Sequence, residues 1–151
     1  MLEIYVDGDA CPVKDEVIRV AERHEIMVYV VSNAWMRLPK HPLVEMVVVD
    51  AGPDVADDWI AERVGPGDIA ITADIPLAKR CLDQEAEVLG STGKPFTEES
   101  IGMALAMRDL NAHLRETGEI KGYNASFSKQ DRSRFLQALE QTIQLIKRRR
   151  A

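Results

Sequence analysis

The chain has 151 residues, 46% of them hydrophobic, and its 25 acidic and 19 basic side chains leave a formal net charge of −6. That length suits one globular core, no apolar run approaches the roughly 20 residues that span a bilayer, and the overall charge offers no general attraction to a polyanion. Cys11 and Cys81 stand at no metal or redox spacing and nothing at the N-terminus resembles a signal peptide, so the expectation is a soluble cytoplasmic protein with reduced thiols.

Short β-branched runs alternate with helical patterns along the first ninety residues. The order is LEIYV, a helix over about 14–24, MVYVV, VEMVVVD, a helix over about 54–63, DIAIT, a short helix over about 76–84, and AEVLG. This is the rhythm of βαβ units and a parallel sheet, so the fold class is α/β. The apolar residues of MVYVV and MVVV are nearly continuous, as expected of central strands covered on both faces. Pro39 and Pro42 interrupt the connection between those two runs, which reads as a loop or a short irregular helix.

After Pro95-Phe96-Thr97, with Thr97 placed to cap, the stretch SIGMALAMRDLNAHLRE brings Ile101, Leu105, Leu110 and Leu114 near helical spacing, and Gly118 falls in the C-cap region. KGYNASFS is a polar loop, and a last helix from about Lys129 carries an apolar stripe of Phe135, Leu136, Leu139, Ile143 and Ile146. The organisation expected is a single domain over 1–151, with 119–151 a basic C-terminal loop and helix packed on it. Residues 1–118 carry a charge of −11 and residues 119–151 a charge of +5. Lys147, Arg148, Arg149 and Arg150 either complement the helix dipole or form a phosphate-tracking tail.

Carboxylates fall where successive parallel strands end, which is where open α/β sheets bind ligands. In YVDGDACPVK, Asp7 closes a strand and Asp9 follows two residues on, so an extended backbone aims both to one side; Pro12 reads as the first residue of the next helix. Lys14 opposes the dipole of that helix unless it meets a phosphate or neutralises Asp7 or Asp9. In DAGPDVADDWI, Asp54 has the position of an N-cap and Asp57 and Asp58 share its helix face; capping and dipole duties alone would also explain all three. In IAITADIP, Thr72 can orient a neighbouring carboxylate and Asp74 ends the strand, with a turn-forming Asp as the alternative.

Carboxylates crowded together force protonation of one of them unless a cation intervenes, and an all-oxygen set suits Mg²⁺ or Mn²⁺. The candidate carboxylates are Asp7, Asp9, Asp54, Asp57, Asp58 and Asp74, which local pattern does not rank. The chemistry such a site usually performs is phosphoester or phosphodiester hydrolysis. No glycine loop of Walker or dinucleotide type occurs, so a nucleotide cofactor is not expected.

The blocks DGDACPVK, Ser32-Asn33, GPDVADDWI, TADIPLAKR, GKPFTEESI and SKQDRSRF, in this order over nearly the whole chain, resemble the YaiI/YqxD family of small bacterial proteins. That family is grouped by similarity with PIN-like domains, a class of metal-dependent ribonucleases. The resemblance implies a three-layer α/β/α fold with a mostly parallel five-stranded sheet of order 3-2-1-4-5 and additional C-terminal helices. It implies Asp7, Asp57 and Asp74 as catalytic acids, with Asp9 and Asp54 as further ligands. RNA is the implied partner, contacted by Lys14, Arg37, Lys79, Lys94 and Arg132 and by the neutral donors Ser32, Asn33 and Thr72, although each cation also reads as ordinary solvated surface charge. Family blocks often read DADACP and end in a GGP-like loop, where this chain has DGDACP and KGYNAS. A small-molecule phosphatase, or a non-catalytic RNA- or protein-binding module that keeps a metal site, are the competing functions.

Overall fold

The computed structural model describes residues 2–8, 11–38, 40–52, 54–103, 106–107 and 127–150. Its elements are β1 (Glu3–Asp7), α1 (Lys14–His24), β2 (Met27–Ser32), β3 (Val44–Val48), α2 (Val55–Arg63), β4 (Ile69–Ile71), α3 (Ile75–Asp83), β5 (Glu87–Leu89), a helical stretch at 98–103 labelled α4, and α5 (Lys129–Arg150). All four strand pairings are parallel, and the sheet order is β3-β2-β1-β4-β5, the order that the resemblance implies.

Two-residue periodicity sorts the strands into two cores. Ile4, Val6, Val28, Val30, Ile69, Ile71 and Leu89 face α1 and α5, where Val17, Val20, Phe135, Leu139 and Ile143 complete one cluster. Tyr5, Val31, Ala70 and Val88 face the other way, onto Ile60, Ala61 and Val64 of and after α2 and Leu77, Ala78 and Cys81 of α3. Three layers result, with the sheet buried between two pairs of helices.

One expectation about the sheet is corrected. β2 is interior, but β3 is an edge strand whose residues are only half covered, and Val48 is exposed. Continuous apolar residues in a strand record burial of both faces, whereas centrality depends on whether a further strand pairs along the side.

The helix ends show local chemistry at work. Glu25 takes a left-handed conformation at the end of α1, with its N–H bonded back to the last turn. The helix starts at Lys14 rather than at Pro12, which stands in the preceding turn. Thr97 and Ser100 exchange hydrogen bonds at the start of α4, 2.7 Å from Thr97 N to Ser100 Oγ and 3.0 Å from Ser100 N to Thr97 Oγ1. Ser128 and Asp131 do the same for α5, and those bonds hold the Asp131 carboxyl below its ordinary pKa. The expected features at Pro39, Leu105, Leu110, Leu114, Gly118 and 121–126 lie outside the described residues.

α5 is clamped to α1 by polar bonds as well as by its apolar stripe. Glu140 pairs with Arg23 and, at 2.7 Å, with His24 Nε2, while Lys147 Nζ stands 2.9 Å from His24 Nδ1. Arg149 reaches Glu87 on β5 at 3.0 Å. Two of the four terminal cations therefore have partners within the fold.

Candidate active site

Parallel strands bring the carboxyl ends of β1 and β4 side by side. Their register pairs Val6 with Ile71, so Asp7 and Thr72, one step further, are neighbours, and Thr72 Oγ1 donates to Asp7 Oδ2 at 2.9 Å. Asp7 alternates with Val6 and so lies on the side of Tyr5, the face covered by α2 and α3. Thr72 is buried, and its Oγ1 also accepts the Asp74 N–H at 2.9 Å. One hydroxyl thus ties the ends of two strands and the start of α3 into a single unit.

Asp74 is the N-cap of α3, with its Oδ1 accepting Leu77 N–H at 2.9 Å. Capping and site duty are compatible, because a carboxylate has a second oxygen and several lone pairs. Asp57 arrives from the opposite helix. It occupies the stripe that continues into the buried Ile60 and Ala61 three and four residues on, so the first turn of α2 turns this carboxyl toward the sheet.

The Asp57 carboxyl is pushed up to about 6, chiefly by burial and then by the charges of Asp74, Asp7 and Asp54, against a partial offset from Arg80. Four acids from β1, α2 and α3 with their flanks therefore lie within one another's field. Among the described residues no three His, Cys, Asp or Glu side chains come close enough to hold a metal ion directly. The donor chemistry still suits a hard cation, since Mg²⁺ dehydrates reluctantly and commonly reaches carboxylates through retained waters. Asp7 and Asp74 are the residues best fixed to hold such an ion, and Asp57 is the one with most to gain from it.

The remaining predicted residues divide. Asp54 stands at the N-cap position of α2, but in a left-handed conformation with φ of 68° and no side-chain capping bond, so the capping expected of it is not made. Asp58 faces away and pairs with Arg80 at 2.7 Å. Asp9 lies outside the described residues. Lys14 Nζ bonds back to the carbonyls of Cys11 at 2.8 Å and Gly8 at 3.3 Å, which explains how a cation is tolerated in a first helical turn. Gly8 is packed so closely that a Cβ there would lie 2.9 Å from Val30 Cγ1 and 3.0 Å from the Val31 carbonyl oxygen.

Ser32 is buried at the end of β2 and accepts the Ala34 N–H at 3.2 Å, which shapes the loop carrying exposed Asn33 and Arg37. Lys79 is drawn to Asp83 at 3.6 Å and Glu98 at 3.8 Å. Arg132 is bound by the Pro12 carbonyl at 2.8 Å and by Glu16 at 3.0 Å, with its guanidinium over the Phe127 ring. These pairs give Lys14, Lys79 and Arg132 structural work; Arg37 and Lys94 stand exposed near the rim. Both thiols are buried and free, and burial drives Cys81 up to about 12, so neither is activated as a nucleophile.

Sequence reasoning passed over Arg80 and Trp35. Arg80 is the cation closest in effect to the acids, and its place in TADIPLAKR, two turns after Asp74, was the available signal. Trp35 is 72% exposed in the loop after β2. An aromatic in a polar loop that leaves a strand's carboxyl end was the sign of it.

The fold and rim define a three-layer α/β protein with a parallel sheet and acids gathered at the ends of its first and fourth strands. The chain belongs to the YaiI/YqxD family, since residues 5–145 match the family described as "Uncharacterized BCR, YaiI/YqxD family". It is similar to a UPF0178 protein of Parvibaculum lavamentivorans, 66% identical over 149 residues that cover 99% of this chain and 98% of that one. A UPF0178 protein of Rhodospirillum rubrum is 59% identical over 150 residues, covering 99% and 100% of the two chains, and one of Rhodopseudomonas palustris strain TIE-1 is 59% identical over 151 residues, covering 100% and 96%. These names state a family and no reaction. No solved structure matches the chain.

Proposed function

We propose that this protein is a Mg²⁺- or Mn²⁺-dependent PIN-like nuclease that hydrolyses phosphodiester bonds in RNA. The observation that carries the reading is Asp57, whose proton affinity is raised toward neutrality by carboxylates contributed from separate elements. Crowding mutually repelling acids, with Asp7 and Asp57 half-buried, opposes folding, and a divalent cation among them would relieve the repulsion. The sheet order supports the PIN-like comparison, and the acids stand at the strand ends that such a comparison requires.

When bound, the cation would polarise a phosphoryl oxygen and make a coordinated water more acidic. Asp7, oriented by Thr72, and Asp74, oriented by Leu77 N–H, would hold it. Asp57, half-buried on α2 and within the field of those two acids, is the group placed to take the proton from the attacking water. A non-catalytic grip through the basic C-terminus is less well supported, because Lys147 and Arg149 are engaged by His24 and Glu87.

The test combines calorimetric titration with Mn²⁺ and cleavage of an end-labelled RNA, on the native chain and on Asp7→Asn/Asp74→Asn. Asn retains capping ability at position 74, so the double variant should fold. Both metal binding and cleavage should disappear; cleavage that persists unchanged rejects the proposal. Small phosphoesters that compete with the RNA and are themselves hydrolysed would point instead to a phosphatase.

A further inference from the structure

Two features stand at the carboxyl edge of the sheet, an exposed tryptophan and a partly apolar cavity whose Phe96 also packs on the core. On one side, the loop after β2 folds back over the residue following Asp7: a Cβ on Gly8 would lie 3.4 Å from Met36 Cε, and Met36 and Leu38 pack on the core beneath. The loop is therefore anchored by its apolar residues, yet Trp35, between Ala34 and Met36, is left 72% exposed. Leaving the largest apolar side chain of the loop in water while Met36 and Leu38 are half-buried is unfavourable unless something covers it.

On the other side, a cavity of about 470 Å³ opens beside Asp74, whose neighbours Ala73 and Ile75 form part of its wall. Phe96 and Pro95 supply further apolar wall, and Ser91, Thr92 and Lys94 supply polar groups. The walls are held: Phe96 N–H bonds to Val88 O at 2.9 Å, Gly90 N–H to Lys94 O at 3.0 Å, and the Thr97–Ser100 pair fixes the turn beyond. The volume lies within the range of small-molecule pockets, and an aromatic wall with a few hydroxyls and one cation is the composition that receives a flat heteroaromatic ring.

β2 and β5 are separated in the sheet by β1 and β4, so the loops that follow them leave the carboxyl edge on either side of the strand ends that lead to Asp7 and Asp74. From this placement we infer that Trp35 is a stacking platform for one base and the Phe96 cavity a pocket for another, so that a single RNA strand lies across the rim with its phosphate at the acids. The inference rests on the nuclease reading for the position of the scissile phosphate, but the two base sites stand on geometry of their own. Paired bases cannot engage either feature, because stacking on a side chain and entry into a pocket both require an unstacked, unpaired base. Exposed Arg37, two residues after Trp35, and Lys94 at the cavity supply the cations for the strand's backbone on the two sides.

The experiment measures binding without cleavage. A fluorescein-labelled single-stranded RNA of about eight nucleotides, a length within the range of single-strand sites, is titrated in EDTA against the native chain, Trp35→Ala, Trp35→Phe and Phe96→Leu, with a duplex of the same sequence alongside. Trp35→Ala should weaken binding about tenfold or more, as expected for loss of one stacked base. Trp35→Phe should retain most of the affinity, Phe96→Leu should weaken it several-fold, and the duplex should bind more weakly and ignore Trp35. Intrinsic tryptophan emission should be quenched by the RNA in the native chain and lose that response in Trp35→Phe, since Trp59 is shielded among Tyr5, Tyr29 and Arg63.

Equal binding by all four proteins, or equal binding of strand and duplex, overturns the inference. Concentration-dependent self-association that Trp35→Ala abolishes also overturns it, because a second copy would then cover the ring. The two readings fail separately. Trp35-dependent binding with no cleavage under Mn²⁺ sinks the nuclease and leaves the base sites; cleavage that needs Asp7 and Asp74 but is indifferent to Trp35 and Phe96 does the reverse.

Discussion

Acids gather at both ends of the sheet, and the two ends treat them oppositely. At the amino end, Asp68 is buried, yet its oxygens accept the Glu3 and Gly65 N–H groups, each at 3.0 Å, and Glu3 in turn accepts the Tyr29 hydroxyl at 2.9 Å. Burial raises the Asp68 pKa while those two backbone bonds pull it back. At the carboxyl end, Asp57 is raised to about 6 by burial and by three other carboxylates, and Arg80 offsets only part of the shift. The same residue type is therefore structural where N–H donors take up both its oxygens and a candidate for chemistry where, as at Asp57, burial and like charges outweigh what opposes them.

The largest stability effect should fall at the amino end. Asp68→Ala leaves two N–H groups without their acceptor in a largely buried place, and should cost about 3 kcal/mol in urea denaturation while leaving Mn²⁺ affinity unchanged. An equal loss of metal binding would erase the distinction between the two ends. At the carboxyl end, Thr72→Val removes the hydroxyl that orients Asp7 and receives Asp74 N–H, and should weaken Mn²⁺ binding by about 10- to 100-fold in calorimetry.

Asp57→Asn should move stability in the opposite direction from Asp68→Ala. A native carboxyl pKa above the ordinary value means that the folded state binds more protons between about 3.8 and 6, so stability falls as pH rises through that window and stays reduced above it. Removing the charge should therefore raise metal-free stability at pH 7 by about 1 kcal/mol, after allowance for solvent screening, and flatten the pH profile between 4 and 6. A chain destabilised at pH 7 by this change would show that Asp57 is satisfied by bonds rather than repelled. Smallest of all, Lys79→Ala breaks two exposed ion pairs with Asp83 and Glu98 and should shift stability by less than about 0.5 kcal/mol. A larger loss would place Lys79 among the structural contacts of the rim.

Much of the fold was legible because its signals are local. The helix at 14–24 follows from spacing, the apolar runs mark all five strands, and Thr97 reads as a cap from its neighbours alone. The candidate acids were legible as a group because strand ends are where parallel sheets place ligands. Their ranking was not: the spacing puts Asp57 and Asp58 on one helix face, whereas in the fold Asp57 turns inward ahead of Ile60 and Ala61 and Asp58 meets Arg80 outside. Less legible was the fate of the cations. Lys14, Lys79 and Arg132 look alike in a sequence, and their partners, the Cys11 carbonyl, Glu98 and the Pro12 carbonyl among them, are identified only when the chain is folded.

By itself the sequence determined the alternation of strands and helices, the two faces of each strand, and the kinds of side chain at each strand end, since these depend on periodicities of two and about 3.6 residues. Only tertiary structure decided that β3 is an edge, that Asp54 sits in a left-handed turn without capping its helix, that Asp57 feels the charges of Asp7 and Asp74, and that Trp35 stays in water. Those outcomes depend on which distant segments become neighbours, and electrostatic field and burial are properties of neighbours in space, not in sequence.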